Sequence, residues 1–290
     1  IVKPFHQRAT AGTSPSSAGG TSADAGVDDP QAFYLMQAYA RICRCLRDGF
    51  LPYLPYVMPG LLTAASQKPD IEVLGDDADY EEEGLETVTL GDKRIGIRTA
   101  ALEDKATACT MLTCFVTELG VGMMDYVEPV AQLMVPLLQF FYHDEVRTAA
   151  ANCLPDLLRC VKNSGTAAPT ALTQLVAFML PTLLEAITNE PETEVLSAMV
   201  EALGEIVDVG GVHVTSGADA ESVLNAVANC LERVVTEAES RRRERVAAAE
   251  EDGWDEEENE DANEEEARED ELLSHVGDAV GTVVRSGGLP

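Results

Sequence analysis

Val57-Met58-Pro59-Gly60-Leu61-Leu62, Met134-Val135-Pro136-Leu137-Leu138 and Met179-Leu180-Pro181-Thr182-Leu183-Leu184 are three versions of one phrase. Each opens an apolar stretch, and a second stretch with helical spacing follows. After Pro136 the polar turn His143-Asp144-Glu145 leads into Val146, Ala149, Ala150, Cys153, Leu154, Leu157, Leu158 and Val161. After Pro181 a turn at 188–192 leads into Val195, Leu196, Met199, Val200, Leu203, Ile206 and Val207. Steps of three and four place each set on one face of a helix. Leu102–Leu119 supplies the corresponding second helix between the first two prolines, and a last pair is expected from Ser222–Val235 with Leu272–Val284. Gly165 and Gly210-Gly211 follow helix ends, where a positive φ is often needed. The prolines are expected to kink the first helix of a pair without ending it, because the apolar pattern continues on both sides.

The spacing selects an architecture. Pro136 and Pro181 are 45 residues apart. Pro59 and Pro136 are 77 apart, and an acidic insertion lies between them. Allowing roughly 30 residues for that insertion returns the step to the ~40–47 residues of HEAT and armadillo units. A helix hairpin of this size cannot bury its own apolar face, so neighbours must stack. The expectation is an all-α HEAT-repeat α-solenoid of antiparallel helix pairs, about five to six units long. Residues 1–29, rich in Ser, Gly, Ala and Thr, read as a disordered linker. Residues 30–290 read as the solenoid segment, with acidic disordered insertions near 69–97 and 246–271. The chain opens on Ile1, and neither end reads as a polar cap, so a piece of a longer array is expected.

Composition agrees. Aromatic residues make up only 5% of the 290 residues while 46% are hydrophobic, which favours helix over sheet. With 51 acidic and 20 basic side chains the formal charge is −31. That disfavours nucleic acid and anionic membranes as partners and favours a basic one. The charge is local: Glu250–Glu271 holds fifteen acidic residues against Arg268, and Asp76–Glu86 holds seven with no basic residue. Such runs are ordinarily solvated, or they attract or mimic a basic ligand. Trp254 lies inside the second run, where it could stack on a basic peptide or pack back on a helix. The block Arg241-Arg242-Arg243-Glu244-Arg245 reads either as a localisation signal or, preferably, as a helix end neutralised by nearby carboxylates. The longest apolar run, Leu175–Leu184, is too short to span a bilayer.

Chemistry is not evident. There is no P-loop, GxGxxG, GxSxG or HExxH pattern. The four histidines are scattered, and His143 sits in an inter-helix turn. Asp79, Glu81, Glu83 and Gly84 match the start of a calcium loop, but its twelfth position is Leu90 rather than a bidentate acid. The seven cysteines lie in apolar helical stretches without CxxC spacing, so they read as reduced core residues. No enzyme activity, catalytic residue, metal or cofactor is expected.

Asp29-Pro30-Gln31 through Tyr39-Ala40-Arg41, Gly91-Asp92 to Glu103-Asp104-Lys105-Ala106-Thr107-Ala108-Cys109, and Leu133–Leu138 with His143-Asp144 and Val146-Arg147 resemble segments of the karyopherin-β, or importin-β, family of nuclear import receptors. Their order matches too, as does an Arg-rich helix running into an acidic stretch. The resemblance implies a receptor that binds basic cargo carrying nuclear localisation signals and shuttles between cytoplasm and nucleus. It also implies the GTPase Ran and nucleoporins as partners. It further implies that the second helices line the cargo surface, with Arg147, Asn152, Asp156 and Arg159 in one unit and Glu194, Glu201, Glu205 and Asp208 in the next. Trp254, Asp255, Glu256 and Glu257 complete the candidate set. The plainer reading of these faces is the wet side of an amphipathic helix, and Asp144 with Arg147 could instead form a polar ladder between repeats. The alternative function is a HEAT scaffold of a phosphatase or cytoskeletal assembly.

Overall fold

All three Pro-Leu-Leu phrases fall in helices in a computed structural model of the chain. The structure describes residues 30–68, 71–74, 85–90, 93–165, 169–211, 220–252 and 256–286. The expected linker at 1–29 lies outside them. The chain divides into two compact units, residues 1–122 and 123–290.

In the first unit, α1 (Pro30–Leu46) passes through a 3-10 segment, Arg47–Tyr53, into α2 (Leu54–Ser66). Both helices pack on α3 (Thr99–Leu119). Cys43, Phe50, Met58 and Leu61 are buried, as are Cys109, Leu112, Phe115 and Val116 of α3. The Phe50 and Phe115 rings stand 5.3 Å apart at 40°. Lys105 of α3 is nearly fully buried and donates to the carbonyls of Ala65 and, at 3.0 Å, Gln67. An ammonium there satisfies carbonyls orphaned at the C-terminus of α2 and complements its dipole. Burial pushes the Lys105 pKa down.

The second unit is a series of helix pairs. These are α4 (Val127–Leu137) with α5 (Asp144–Asn163), α6 (Pro169–Asn189) with α7 (Thr193–Gly210), and α8 (Ala220–Asp252) with α9 (Glu256–Ser286). First helices pack on first helices, α6 touching α4 and α8, and second on second, α7 touching α5 and α9. Leu154, Leu157, Met199, Leu203 and Ile206 are wholly buried between them. By length and apolarity alone α6 could cross a membrane. Here Leu172, Val176, Met179, Leu183 and Ile187 are buried within the unit, as in any core helix. Gly165 and Gly211 take φ of +65° and +48°, as their positions predict. Gly204 lets α9 approach α7: a Cβ there would stand 3.3 Å from both Cα and Cβ of Ala279.

Six of the seven cysteines are buried and Cys45 is exposed. Burial pushes the thiols of Cys109 and Cys160 up to about 11. Such groups stay protonated and behave as small apolar residues.

The helix-pair architecture follows the sequence pattern, but the described parts of both insertions hold strands or helix where disorder was expected. Between α2 and α3 stands a three-stranded antiparallel sheet: β1 (Ile71–Leu74), β2 (Leu85–Leu90) and β3 (Lys93–Arg98), in the order β1-β3-β2. Ile95 faces Val73 on one side and Val88 on the other in the register. Alternating β-branched residues in Ile-Glu-Val-Leu, Leu-Glu-Thr-Val-Thr-Leu and Lys-Arg-Ile-Gly-Ile-Arg carry strand propensity that the count of acids obscures. The acidic run 76–84 lies outside the described residues. In the second insertion α8 continues to Asp252 and α9 begins at Glu256. Glu is a good helix former once its charge is offset.

Two substitutions test this packing in opposite directions. Gly204→Val is expected to destabilise the chain by about 1–3 kcal/mol, because the atoms in its way include backbone of α9. Gly60→Ala, mid-helix with no atom near the new methyl, is expected to stabilise it by about 0.5–1 kcal/mol. Urea unfolding followed by circular dichroism measures both.

Candidate functional site

The repeat brings the polar stripes of α5 and α7 side by side. On α5, Asn152 is exposed and Asp156 and Arg159 are half-buried. On α7, Glu194, Glu201 and Asp208 are exposed and Glu205 is half-buried. Steps of three, four and seven keep each set on one helical face. Arg159 joins the stripes: it donates to Asp156 on its own helix at 2.7 Å and pairs with Glu205 across the groove at 3.0 Å. At the other end of α7, Glu194 is paired at 2.8 Å with Arg268 of α9. Arg268 is tethered to Glu264 on its own helix at 3.2 Å. Glu201 and Asp208 have no side-chain partner among the described residues.

Arg147 is placed differently. It is the expected surface residue that the fold draws inside, with 2% of its side chain exposed. Its Nε and one terminal nitrogen donate to the two oxygens of Glu190 at 2.8 and 3.0 Å. Further donations go to Asp144 at 2.8 Å and to the Phe140 carbonyl at 3.2 Å. Glu190, itself 1% exposed, also accepts the Glu192 backbone N–H at 3.1 Å. This is a polar ladder between adjacent repeats, the alternative that the sequence allowed for Asp144 and Arg147. Sequence reasoning missed Glu190. The available signal was its position: it sits in the turn just before a second helix, as Asp144 stands at the start of the second helix one repeat earlier.

Glu256 and Glu257 open α9, while Trp254 and Asp255 lie outside the described residues. Farther along the acidic run, four carboxylates are engaged by the arginine block. Arg241 pairs with Glu269 at 3.1 Å, Arg242 with Glu266 and Asp270, and Arg245 with Glu269 and Glu265. Arg243 turns outward to Glu239 of its own helix at 2.9 Å. The block therefore fastens α8 to α9. Burial works to raise the Glu269 pKa, but hydrogen bonds from Arg245 and Arg241 outweigh it and hold the carboxyl below its ordinary value. His275 contacts the Ser197 hydroxyl through Nδ1 at 2.9 Å, a further link between α9 and α7. No group of acids, histidines and cysteines suited to a metal occurs among the described residues. The arrangement offers charged grooves rather than converging reactive groups.

Comparison with known proteins agrees with this geometry. The family model described as importin repeat 6 matches residues 195–288, which span α7 to α9. Importin subunit beta-3 of Saccharomyces cerevisiae is 29% identical over 269 residues, covering 91% of this chain and 24% of the relative. The crystal structure of Kap121p bound to RanGTP superposes with a TM-score of 0.73 at 26% identity, over 89% of this chain and 23% of that one. Kap121p bound to Pho4p gives a TM-score of 0.73 at 25% identity, over 89% and 23%. The chain thus spans about a quarter of the length of the relatives it matches. Stacked antiparallel pairs of this kind define a HEAT-repeat array. The chain is similar to importins, the karyopherin-β family, over most of its length.

Arg147→Ala is expected to destabilise the chain by about 3–5 kcal/mol, because it strands a buried carboxylate. Replacing the pair together, Arg147→Met with Glu190→Leu, is expected to lose much less. Urea midpoints decide between them. Because the folded pKa of Glu269 is depressed, its contribution is present above the ordinary carboxylate range and is lost as pH falls through the lower value. Glu269→Gln is therefore expected to flatten the acid side of the stability profile, read as urea midpoints from neutral pH downward.

Proposed function

We propose that the chain is part of a nuclear import receptor that binds basic cargo on the polar faces of its second helices, with release governed by Ran-GTP. The observation that carries this is the carboxylate row of α7, where Glu201 and Asp208 are exposed and unpaired among the described residues. A row of fixed negative charge attracts Lys/Arg segments and speeds encounter with them. Similarity to the importins supports a transport role, and Kap121p bound to RanGTP and to Pho4p supplies the analogy for GTPase and cargo. Glu194 and Glu205 complete the row, and Asn152, Asp156 and Arg159 of α5 border it. Shuttling between cytoplasm and nucleus follows from the same reading. Binding and release, with no bond made or broken, suffice for it.

The test is titration of the chain with a labelled oligo-lysine peptide. Glu201→Gln with Asp208→Gln is expected to weaken binding about threefold to tenfold, given the usual worth of exposed ion pairs. The difference should shrink between roughly 0.01 M and 0.15 M salt, as the Debye length falls from about 30 Å to about 8 Å. Unchanged affinity at low salt would remove the α7 row from the function.

A further inference from the structure

Two arginines occupy the α7 carboxylate row in the same way from opposite sides. Arg159 reaches in from α5 and takes Glu205 at 3.0 Å, while Asp156 holds it on its own helix at 2.7 Å. Arg268 reaches in from α9 and takes Glu194 at 2.8 Å, while Glu264 holds it on its own helix at 3.2 Å. Each guanidinium is anchored by a carboxylate three or four residues earlier and spends its remaining donors across the groove. Each side chain is 41% exposed, so both can swing out without opening the core. They differ in this from Arg147, which is sealed in the interior.

We propose that Arg159 and Arg268 are built-in competitors for the α7 carboxylate row, internal stand-ins for the cations of a basic ligand. The inference rests on the reading of that row as the basic-ligand face. Glu201 and Asp208 offer free charge for first encounter. Full engagement of Glu194 and Glu205 requires a ligand cation to displace the resident guanidinium. Each displaced arginine keeps its own-helix partner, Asp156 or Glu264, so displacement leaves no orphaned charge. Exposed ion pairs are individually weak, which makes exchange feasible. A guanidinium offers a planar fork of donors that a lysine ammonium lacks. The resident arginines therefore set a threshold: isolated lysines are held off, and a segment with several cations in the right places passes. Selectivity of this kind comes from opposing the wrong ligand as well as from attracting the right one.

The experiment compares the full chain with three double variants, using the labelled oligo-lysine peptide at low salt. Arg159→Gln with Arg268→Gln is expected to bind about threefold to tenfold more tightly than the unaltered chain. Removing two positive charges anywhere strengthens cation binding through the long-range field. Arg41→Gln with Arg243→Gln, both exposed and neither paired with a carboxylate of the row among the described residues, provides the equal-charge control. The proposal requires a larger gain from the first pair than from the second, with unchanged urea midpoints reporting an intact fold. An equal gain, no gain or a loss overturns it. Glu201→Gln with Asp208→Gln separates the two levels. If this variant weakens binding while the arginine pair behaves like the control, the face stands and the competition falls. If it has no effect, both fall.

Discussion

A guanidinium with almost no exposed surface, fixed to an equally buried carboxylate, is the constraint on which the second unit turns. Neither Arg147 nor Glu190 could be taken from water alone. Together they fill one another's hydrogen-bonding capacity, with Asp144, Phe140 and the Glu192 N–H taking what remains. Apolar contact between α5 and α7 is tolerant of sliding, whereas a bidentate pair is not. The pair ties the start of α5 to the turn ahead of α7, and so fixes how far one repeat is offset from the next. Every cross-helix contact farther along depends on that offset. Lys162 reaches the Val209 carbonyl at 2.9 Å at the opposite end of the same two helices. Arg159 meets Glu205 between these two points.

The same offset decides which carboxylates face solvent unpaired. From composition the acid looks like one undivided excess. In the folded chain it is apportioned. Glu265, Glu266, Glu269 and Asp270 are committed to the arginines of α8, Glu194 and Glu205 are shared with Arg268 and Arg159, and Glu201 and Asp208 have no partner among the described residues. The acid-rich part of α9 is thereby a brace for the last helix pair. Like charges along one helix repel, and Glu269 would be poorly placed among apolar neighbours without its arginines. With them, helix propensity decides, and the segment is helical rather than disordered.

What was legible in the sequence follows from what is periodic in it. The Pro-Leu-Leu phrases, the stripes after them and the glycines at Gly165 and Gly211 are local signals, readable within a few turns of helix. They gave the helix pairs and their stacking. Strands β1 to β3 were hidden because a run of acids between short β-branched segments resembles a solvated loop when counted by charge. The pairing of Arg268 with Glu194 and of Arg147 with Glu190 spans 74 and 43 residues of sequence. No spacing rule within one repeat reports such pairs. Only the inter-repeat offset does, and it becomes available once the helices are in place. The wet face of α7 was visible from its amphipathic pattern, but its division into paired and unpaired acids was not.

The distinction between buried and exposed arginine carries the argument from fold to function. Arg147, Arg159 and Arg268 have the same chemistry and similar partners, each with one acid on its own helix and one beyond it. They differ in solvent. The buried pair is strong because water cannot replace either member, so it holds the repeat rigidly and can take no part in exchange. The exposed pairs are screened and weak, so water, salt or another cation can replace them. A protein that must bind a charged partner and later release it gains from keeping the two kinds apart: permanent ion pairs inside to set the geometry, and exchangeable ones outside at the surface where the partner arrives.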